Sequence, residues 1–103
     1  MTSDLFGVIM EALNYPFALR ILMYLLHKGE AKLSDILVFV TGISKYRSVR
    51  KTILNLEAAG LISKDVISWG KAKKWNLRLT RLGERITRSL LESLKKTLKE
   101  TEE

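Results

Sequence analysis

The sequence predicts a mostly α-helical domain that contains one small β-hairpin. Apolar residues recur at helical spacing through most of the chain, whereas the segment Ile62–Leu79 is rich in β-branched and aromatic residues and alternates apolar with polar side chains near its end. A short glycine-containing stretch, Thr41–Ile43, separates two of the helical segments. With 103 residues, the chain has room for one domain with a modest core.

The first two helices are predicted from apolar spacing and from the residues at their ends. Four residues indicate an N-terminal helix: Leu5, Phe6, Ile9 and Leu13. The second helix is apolar on nearly every side, so we expect it at the centre of the domain. Asn14 is expected to cap this helix, Pro16 to occupy its first turn, and Gly29 to follow its last residue.

A helix-turn-helix is predicted over about residues 34–60. Ser34 is expected to cap a short helix, and Ser44 is expected to cap the next helix after the turn Thr41–Ile43. The inward side chains of the short helix are expected to be Ile36, Leu37, Phe39 and Val40.

The segment Ile62–Leu79 is predicted to form the hairpin, with its tip at Gly70–Lys74. Thr80 is then expected to cap a long C-terminal helix over about residues 80–101. The apolar residues of that helix fall along one side: Leu82, Ile86, Leu90, Leu91, Leu94 and Leu98. This order of elements is that of a winged helix-turn-helix, here a single domain over residues 1–103 with an extra N-terminal helix and a long C-terminal helix.

The positive charge is confined to the middle of the chain. The formal net charge is +7. Residues 44–85 contain eleven basic and three acidic residues, a net of +8, while the preceding residues carry a net of −1 and the following residues a net of zero. Such a local excess is typical of a binding surface for a polyanion.

The helix that follows the turn separates a core side from a polar side. At about 100° per residue, Ile53 and Leu56 lie within about 40° of Val49, and Tyr46 lies within about 60° of it, which predicts the buried stripe. The opposite side and its flanks hold seven predicted contacts to base edges and phosphates in a major groove: Ser44, Lys45, Arg47, Ser48, Arg50, Lys51 and Asn55.

The hairpin supplies a second predicted DNA contact. Its cations suit the phosphate backbone or an adjacent minor groove: Lys71, Lys73, Lys74 and Arg78. We therefore expect the helix to recognise sequence and the hairpin to position the protein. Trp69 and Trp75 are expected to pack in the core or across the strands rather than stack on bases.

Three stretches of the chain resemble known regulators. "EALNYPFALRILMYLLHKGEAKLSDI" is similar to the start of the arsenic-repressor-like (ArsR-like) winged-helix domain. "ISKYRSVRKTILNLEAAGLI" resembles the recognition helix shared by that family and the MarR-like regulators, and "WNLRLTRLGERI" resembles their entry into the C-terminal helix. The resemblance covers about Glu11 to Ile86. It implies a dimeric transcription regulator whose recognition helix begins at Ser44 and whose wing spans Ile62–Leu79.

Several classes of chemistry are absent from the sequence. There is no cysteine, which excludes disulfides and thiolate metal sites. The single histidine, His27, is expected near a helix end, where the helix dipole favours it, rather than in a metal site. No carboxylate pair, nucleophile–base pair or glycine-rich phosphate loop indicates catalysis, so we expect no enzyme, cofactor or metal. Without a secretory signal or an apolar span, the protein is expected to be soluble and cytoplasmic.

A homodimer is predicted because a domain of this size cannot cover the whole C-terminal helix. Nine apolar residues are expected to form the dimer contact: Leu5, Phe6, Ile9, Leu13, Ile86, Leu90, Leu91, Leu94 and Leu98. Two-fold pairing would place two recognition helices about one DNA turn apart, facing a pseudo-palindromic site.

The favoured function is therefore a sequence-specific regulator that binds double-stranded DNA. Two alternatives stay open: a sequence-independent architectural nucleic-acid binder, and a winged-helix subunit that binds protein. The cations at the start of the recognition helix argue against the second, and the hydrogen-bonding side chains of Ser44, Ser48 and Asn55 argue against the first. A small-molecule effector is compatible with the resembled families, but no residue indicates one.

Overall fold

The computed structural model describes residues 2–40 and 45–101, with the side chains of Thr2, Ser3 and Trp69 left out. The predicted turn Thr41–Ile43 and the predicted cap and DNA contact Ser44 lie outside the described residues. Within these ranges the elements are α1 (Thr2–Leu13), α2 (Ala18–Lys28), β1 (Glu30–Lys32), α3 (Leu33–Val40), α4 (Tyr46–Ala58), β2 (Ile62–Trp69), β3 (Ala72–Leu79) and α5 (Arg81–Thr101).

The three strands form an antiparallel sheet in the order β1-β3-β2. The hairpin of β2 and β3 is the predicted wing, but β1 was not predicted, because three residues carry too little of an alternating pattern. Ala31 of β1 is buried and pairs with Leu77 of β3, and the neighbouring pair joins Lys32 to Asn76. The strand therefore ties the base of the wing to the chain segment that enters α3.

The core lies where α2 meets α3, α4 and the sheet. The prediction that α2 is central is confirmed, because Ile21, Leu22 and Leu25 are at most 1% exposed. Other elements surround them with side chains that are no more than 2% exposed: Ile36, Val49, Ile53, Leu56, Leu61, Ile62 and Leu77. Burial of each such side chain stabilises the fold by about 1.5–3 kcal/mol, before the entropy cost of ordering the chain.

The predicted start of α2 is wrong. The helix begins at Ala18, so Asn14 does not cap it and Pro16 lies in the turn before it. Phe17 occupies the cap position with a left-handed backbone (φ 65°), which is unfavourable for a bulky side chain. Its ring packs against the core, and this contact holds the residue in that conformation.

The predictions for the end of α2 and for α3 are confirmed only in part. Gly29 ends α2 as predicted, with a φ of 87° that glycine adopts without steric cost. The short helix α3 begins at Leu33, directly after β1, so Ser34 lies in its first turn instead of capping it. Phe39 was expected to point inward but is 58% exposed, and its ring centroid lies 4.6 Å from that of Tyr24.

The hairpin tip is shorter than predicted. The strand β3 begins at Ala72, so the tip is formed by Gly70 and Lys71 only. Lys73 and Lys74 belong to β3, where they pair with Ser68 and Ile67 of β2. The wing is therefore a longer, more regular ribbon than the sequence pattern indicated.

The predicted cap of α5 is confirmed. The backbone N–H of Gly83 donates to the hydroxyl oxygen of Thr80 at 3.0 Å, and that hydroxyl lies 2.6 Å from the Gly60 carbonyl oxygen. At Gly83 the helix comes so close to the backbone of Leu61 that an added Cβ would collide with its carbonyl group. The absence of a side chain at Gly83 thus allows α5 to lie directly on the chain entering β2.

One aromatic ring joins the wing to α4. The Arg50 guanidinium carbon of α4 lies 4.8 Å from the centroid of the Trp75 ring of β3, and the Lys64 ammonium of β2 lies 4.5 Å from it. Lys64 also lies 3.5 Å from the carboxylate of Glu57 on α4. Each cation–π contact contributes about 0.5–1 kcal/mol where water reaches it. Trp75 packs as expected, and its position fixes the wing relative to α4.

No single helix within the described ranges has the length and apolar character that a membrane span requires. The segments Asp4–Leu13 and Ala18–Lys28 have that length and apolar character only when taken together, and they are bent by 91° relative to each other.

Replacing Gly83 by alanine is expected to lower the free energy of unfolding by about 1–3 kcal/mol, because α5 must move away from the Leu61 backbone. The matched control is Gly7→Ala in α1, where an added Cβ meets nothing within 4 Å. It should raise the free energy of unfolding by about 0.5–1 kcal/mol through better helix propensity. Urea unfolding at one fixed protein concentration measures both. Equal stabilities of the two variants would contradict the close approach.

The contact between Arg50 and Trp75 is testable by a double-mutant cycle with Arg50→Ala and Trp75→Leu. The double variant should lose less stability than the two single variants together, with a coupling of about 0.5–1 kcal/mol in urea unfolding. A second cycle with Arg47→Ala and Trp75→Leu should be additive, because Arg47 has no ring contact among the described residues. Coupling in both cycles, or in neither, would rule out a specific contact.

Candidate nucleic-acid interface

The inner side of α4 determines which side faces outward. Val49, Ile53 and Leu56 are buried as predicted, and Thr52 is fully buried beside them. The Thr52 hydroxyl oxygen lies 2.8 Å from the Pro16 carbonyl oxygen, in the turn between α1 and α2. This hydrogen bond was not predicted, because threonine is polar, although the spacing of Thr52 from Val49 places it on the buried side of the helix. The helix is thus held in one rotational position.

The exposed side of α4 carries the predicted cations in two different states. Lys45 and Arg47 are exposed and have no ion-pair or ring partner within the described part of the chain. A shallow groove of about 360 Å³ passes Arg47 and is lined by Tyr46, Arg47, Arg50, Lys51 and Leu54. Tyr46 was placed at the edge of the core stripe and is 44% exposed, so it belongs to this surface instead. Among the described residues, Lys45, which directly precedes α4, and Arg47 therefore have no partner that competes with a ligand.

Three other predicted contacts on α4 are already engaged within the protein. Arg50 lies over Trp75, and the Lys51 ammonium lies 5.9 Å from the centroid of the Tyr15 ring. The side-chain amide of Asn55 donates to the Lys51 carbonyl oxygen at 2.9 Å. Ser48 is partly buried. Arg50 thus joins α4 to the wing, whereas the contacts of Lys51 and Asn55 are an exposed ring contact and a hydrogen bond within the helix.

Three lysines of the wing, Lys71, Lys73 and Lys74, are exposed and have no ion-pair or ring partner among the described residues, whereas Lys64 and Arg78 are paired. Lys73 and Lys74 are neighbours on β3 and project to opposite faces of the ribbon, with Lys71 at its tip. Arg78 lies at the other end of β3, where its guanidinium is 3.4 Å from the carboxylate of Asp65. The structure therefore separates Arg78 from the three lysines with which it was grouped.

A cavity of about 550 Å³ lies between α4 and the wing. It is lined by Lys32, Leu33, Ser34, Leu37, Tyr46, Arg50, Lys73, Lys74 and Trp75. Four of these residues are cations, and no carboxylate is among the lining residues that the structure describes. Lys32 and Ser34 were not predicted as site residues, because the strand that brings Lys32 here was not predicted either.

The predicted dimer residues divide into an exposed set and a buried set. Five are exposed: Leu5, Phe6, Leu90, Leu94 and Leu98. Leu91 is partly buried, and three residues pack against the chain's own core: Ile9, Leu13 and Ile86. The helix α1 also exposes Val8 and Met10, which helical spacing had not assigned to the contact.

A second groove, of about 490 Å³, lies between α2 and α5. Its lining includes His27 of α2 and Leu91 and Leu94 of α5. Within the described ranges, no group of three or more histidine, cysteine, aspartate or glutamate side chains could hold a metal ion.

No protein-family model matches the sequence, and no curated protein sequence matches it. Solved structures do resemble the chain. The transcriptional regulator homologue protein from Pyrococcus horikoshii OT3 is 22% identical, with a TM-score of 0.73 over 95% of this chain and 97% of that chain. NadR, solved in complex with 4-hydroxyphenylacetate, is 19% identical, with a TM-score of 0.71 over 97% of this chain and 69% of that chain.

A third structure is ytfH from Salmonella typhimurium, a candidate transcriptional regulator. It is 19% identical, with a TM-score of 0.70 over 92% of this chain and 88% of that chain. At such identities the likeness is evidence of fold. The chain has the winged helix-turn-helix fold of solved transcriptional regulators, as its sequence predicted.

Proposed function

We propose that this protein is a sequence-specific transcriptional regulator that binds double-stranded DNA as a homodimer. Its α4 helix enters the major groove, and its wing contacts the sugar–phosphate backbone. The observation that carries the proposal is a set of exposed cations at the start of α4 and on the wing that have no ion-pair or ring partner among the described residues: Lys45, Arg47, Lys71, Lys73 and Lys74.

The distribution of ion pairs strengthens this electrostatic argument. Residues 44–85 contain three carboxylates, Glu57, Asp65 and Glu84, and each lies within 3.5 Å of a lysine or arginine. The acidic residues of this region are therefore engaged away from the exposed lysines of the wing. Phosphates can neutralise that excess charge and release condensed counterions, which predicts binding that weakens steeply with salt.

Two arginines near the start of α4 serve different purposes in this proposal. Arg47 projects from its exposed side, where a guanidinium suits bidentate recognition of guanine. Arg50 lies on the Trp75 ring, which limits its reach and holds α4 at a fixed angle to the wing. An architectural binder needs only the charge, whereas a fixed angle between helix and wing favours binding in one register.

The dimer is proposed from unburied apolar surface. The 21 residues of α5 span about 31 Å, and Leu90, Leu94 and Leu98 form a stripe four residues apart along it. The helix α1 exposes a second apolar set that includes Leu5 and Phe6. We propose that a second copy covers both surfaces, so that residues 1–103 act as one unit for DNA binding and dimerisation. Recognition helices about 34 Å apart would then meet successive major grooves.

Selection of bound sequences from a random duplex pool at physiological salt tests the function. Enrichment of an inverted repeat with half-sites about ten base pairs apart supports a dimeric, sequence-specific regulator. Retention of DNA without an enriched sequence would favour the architectural binder. Failure to retain any duplex would favour the subunit that binds protein.

On the selected site, Arg47→Ala should weaken binding by about 1–3 kcal/mol and relax the preference at one base pair of each half-site. Replacing Lys71, Lys73 and Lys74 together by alanine should weaken binding to all duplexes alike and reduce the salt dependence, because the wing is proposed to contact phosphates. Fluorescence anisotropy with cognate and scrambled duplexes measures both effects. Loss of cognate binding alone in the wing variant would reverse the two assignments.

The proposed dimer predicts that Leu94→Lys shifts the protein towards a monomer, because it places a charge in the covered apolar stripe. The matched control is Val38→Lys on α3, since Val38 is 62% exposed and lies outside the proposed contact. Sedimentation equilibrium at micromolar concentration should show a dimer for wild type and the Val38 variant. A monomeric wild-type protein would refute the homodimer.

A further inference from the structure

We propose that the 550 Å³ cavity between α4 and the wing receives one phosphate group of the DNA backbone, and that Lys32 is one of its ligands. This inference rests on the proposed function. It adds a third contact with DNA, which lies between the contact made by the recognition helix and the contact made by the wing. Lys32 and Ser34 of this cavity were not predicted as site residues, whereas Arg50, Lys73 and Lys74 were.

The cavity brings together donors from four elements. Its six polar side chains other than the Trp75 indole are Lys32 of β1, Ser34 of α3, Tyr46 and Arg50 of α4, and Lys73 and Lys74 of β3. Four of these residues are cations and two carry hydroxyl groups, and no described lining residue is a carboxylate. Because Lys73 and Lys74 project to opposite faces of the ribbon, only one of these two can direct its ammonium group into the cavity. Ammonium and guanidinium groups form strong, charge-assisted hydrogen bonds with phosphate oxygens. The chemistry of the lining therefore selects an oxyanion.

The wall of the cavity holds one of these donors in place. Arg50 lies on the Trp75 ring, and both residues line the cavity. A guanidinium that stacks on an aromatic ring still has N–H groups that can donate along its edge. Because the ring already restricts the Arg50 side chain, this side chain loses less conformational entropy when a phosphate binds.

Lys32 is held at the opposite side by the backbone. It ends β1, where it pairs with Asn76, and α3 begins at the next residue. Its neighbour Ala31 is buried, while Lys32 itself is exposed. The sheet and the core together determine this backbone position, so Lys32 lines the cavity and has no ion-pair partner among the described residues.

The position of the cavity points to DNA as the source of the phosphate. In the proposed complex, α4 lies in the major groove and the wing on the adjacent backbone or minor groove. A DNA strand separates these two grooves, and its phosphates must pass between the two elements. The cavity lies in that gap. The cations that line the cavity, Lys32, Arg50 and one of the two β3 lysines, also repel each other in the free protein, and a phosphate relieves that repulsion.

The test is the salt dependence of binding to a labelled duplex by wild type, Lys32→Ala, Lys32→Arg and the control Lys99→Ala on α5. Loss of one phosphate contact should reduce the slope of log K against log salt by about one unit and weaken binding roughly three- to tenfold at low salt. Lys32→Arg should keep the slope of wild type, as should Lys99→Ala. Thermal unfolding checks that each variant is folded, and Lys32→Gln replaces Lys32→Ala if the latter is not.

A backbone scan then locates the contact. Single neutral methylphosphonate linkages in the selected duplex should weaken wild-type binding at each contacted phosphate. At one linkage per half-site, Lys32→Ala should show no further loss, because both changes remove the same contact. If Lys32→Ala matches Lys99→Ala in slope and in the scan, the phosphate site is overturned while the proposed function stands. If wild type binds no duplex at all, the proposed function fails as well.

Discussion

The seating of α4 against the core is the constraint on which the candidate interface depends. Val49, Ile53 and Leu56 bury one side of the helix, and Thr52 anchors the same side to the carbonyl oxygen of Pro16. The same hydroxyl also lies 2.9 Å from the Ser48 carbonyl oxygen, one turn back in α4, so its contact with Pro16 adds about 0.5–1.5 kcal/mol to the apolar burial that sets the rotational position of the helix. The rotational position that remains presents Arg47 to solvent.

A second constraint joins the wing to that helix. The Trp75 ring lies between Arg50 of α4 and Lys64 of β2, and Lys64 reaches Glu57 of α4. These contacts engage Arg50 and Lys64 within the protein. The cations without such contacts are the ones available to a ligand. The positive charge of residues 44–85 is thus of two kinds: one part holds two elements at a fixed angle, and the other is available to a polyanion. A count of charges alone cannot separate them.

The apolar surfaces of α1 and α5 complete the physical picture. Their exposed leucine and phenylalanine side chains contribute nothing to this domain's core, because the core is already closed by α2, α4 and the sheet. Contiguous exposed apolar surface is typical of an interface that a partner covers. A second copy would meet that requirement and would also set the spacing between two recognition helices, so assembly and the spacing of the two DNA contacts would both depend on α1 and α5.

The sequence by itself determined the elements whose signals are local. The bounds of β2, the cap at Thr80 and the inner side of α4 follow from alternation, capping and helical spacing over a few neighbouring residues. The tertiary structure decided the left-handed backbone at Phe17, the strand β1, the partner of Arg50 and the place of Lys32 in the cavity. Each of these depends on groups far apart in the chain: β1 exists because β3 offers it a free edge, more than 40 residues later. Contacts of that kind form only when the core brings the elements together, so no local pattern records them.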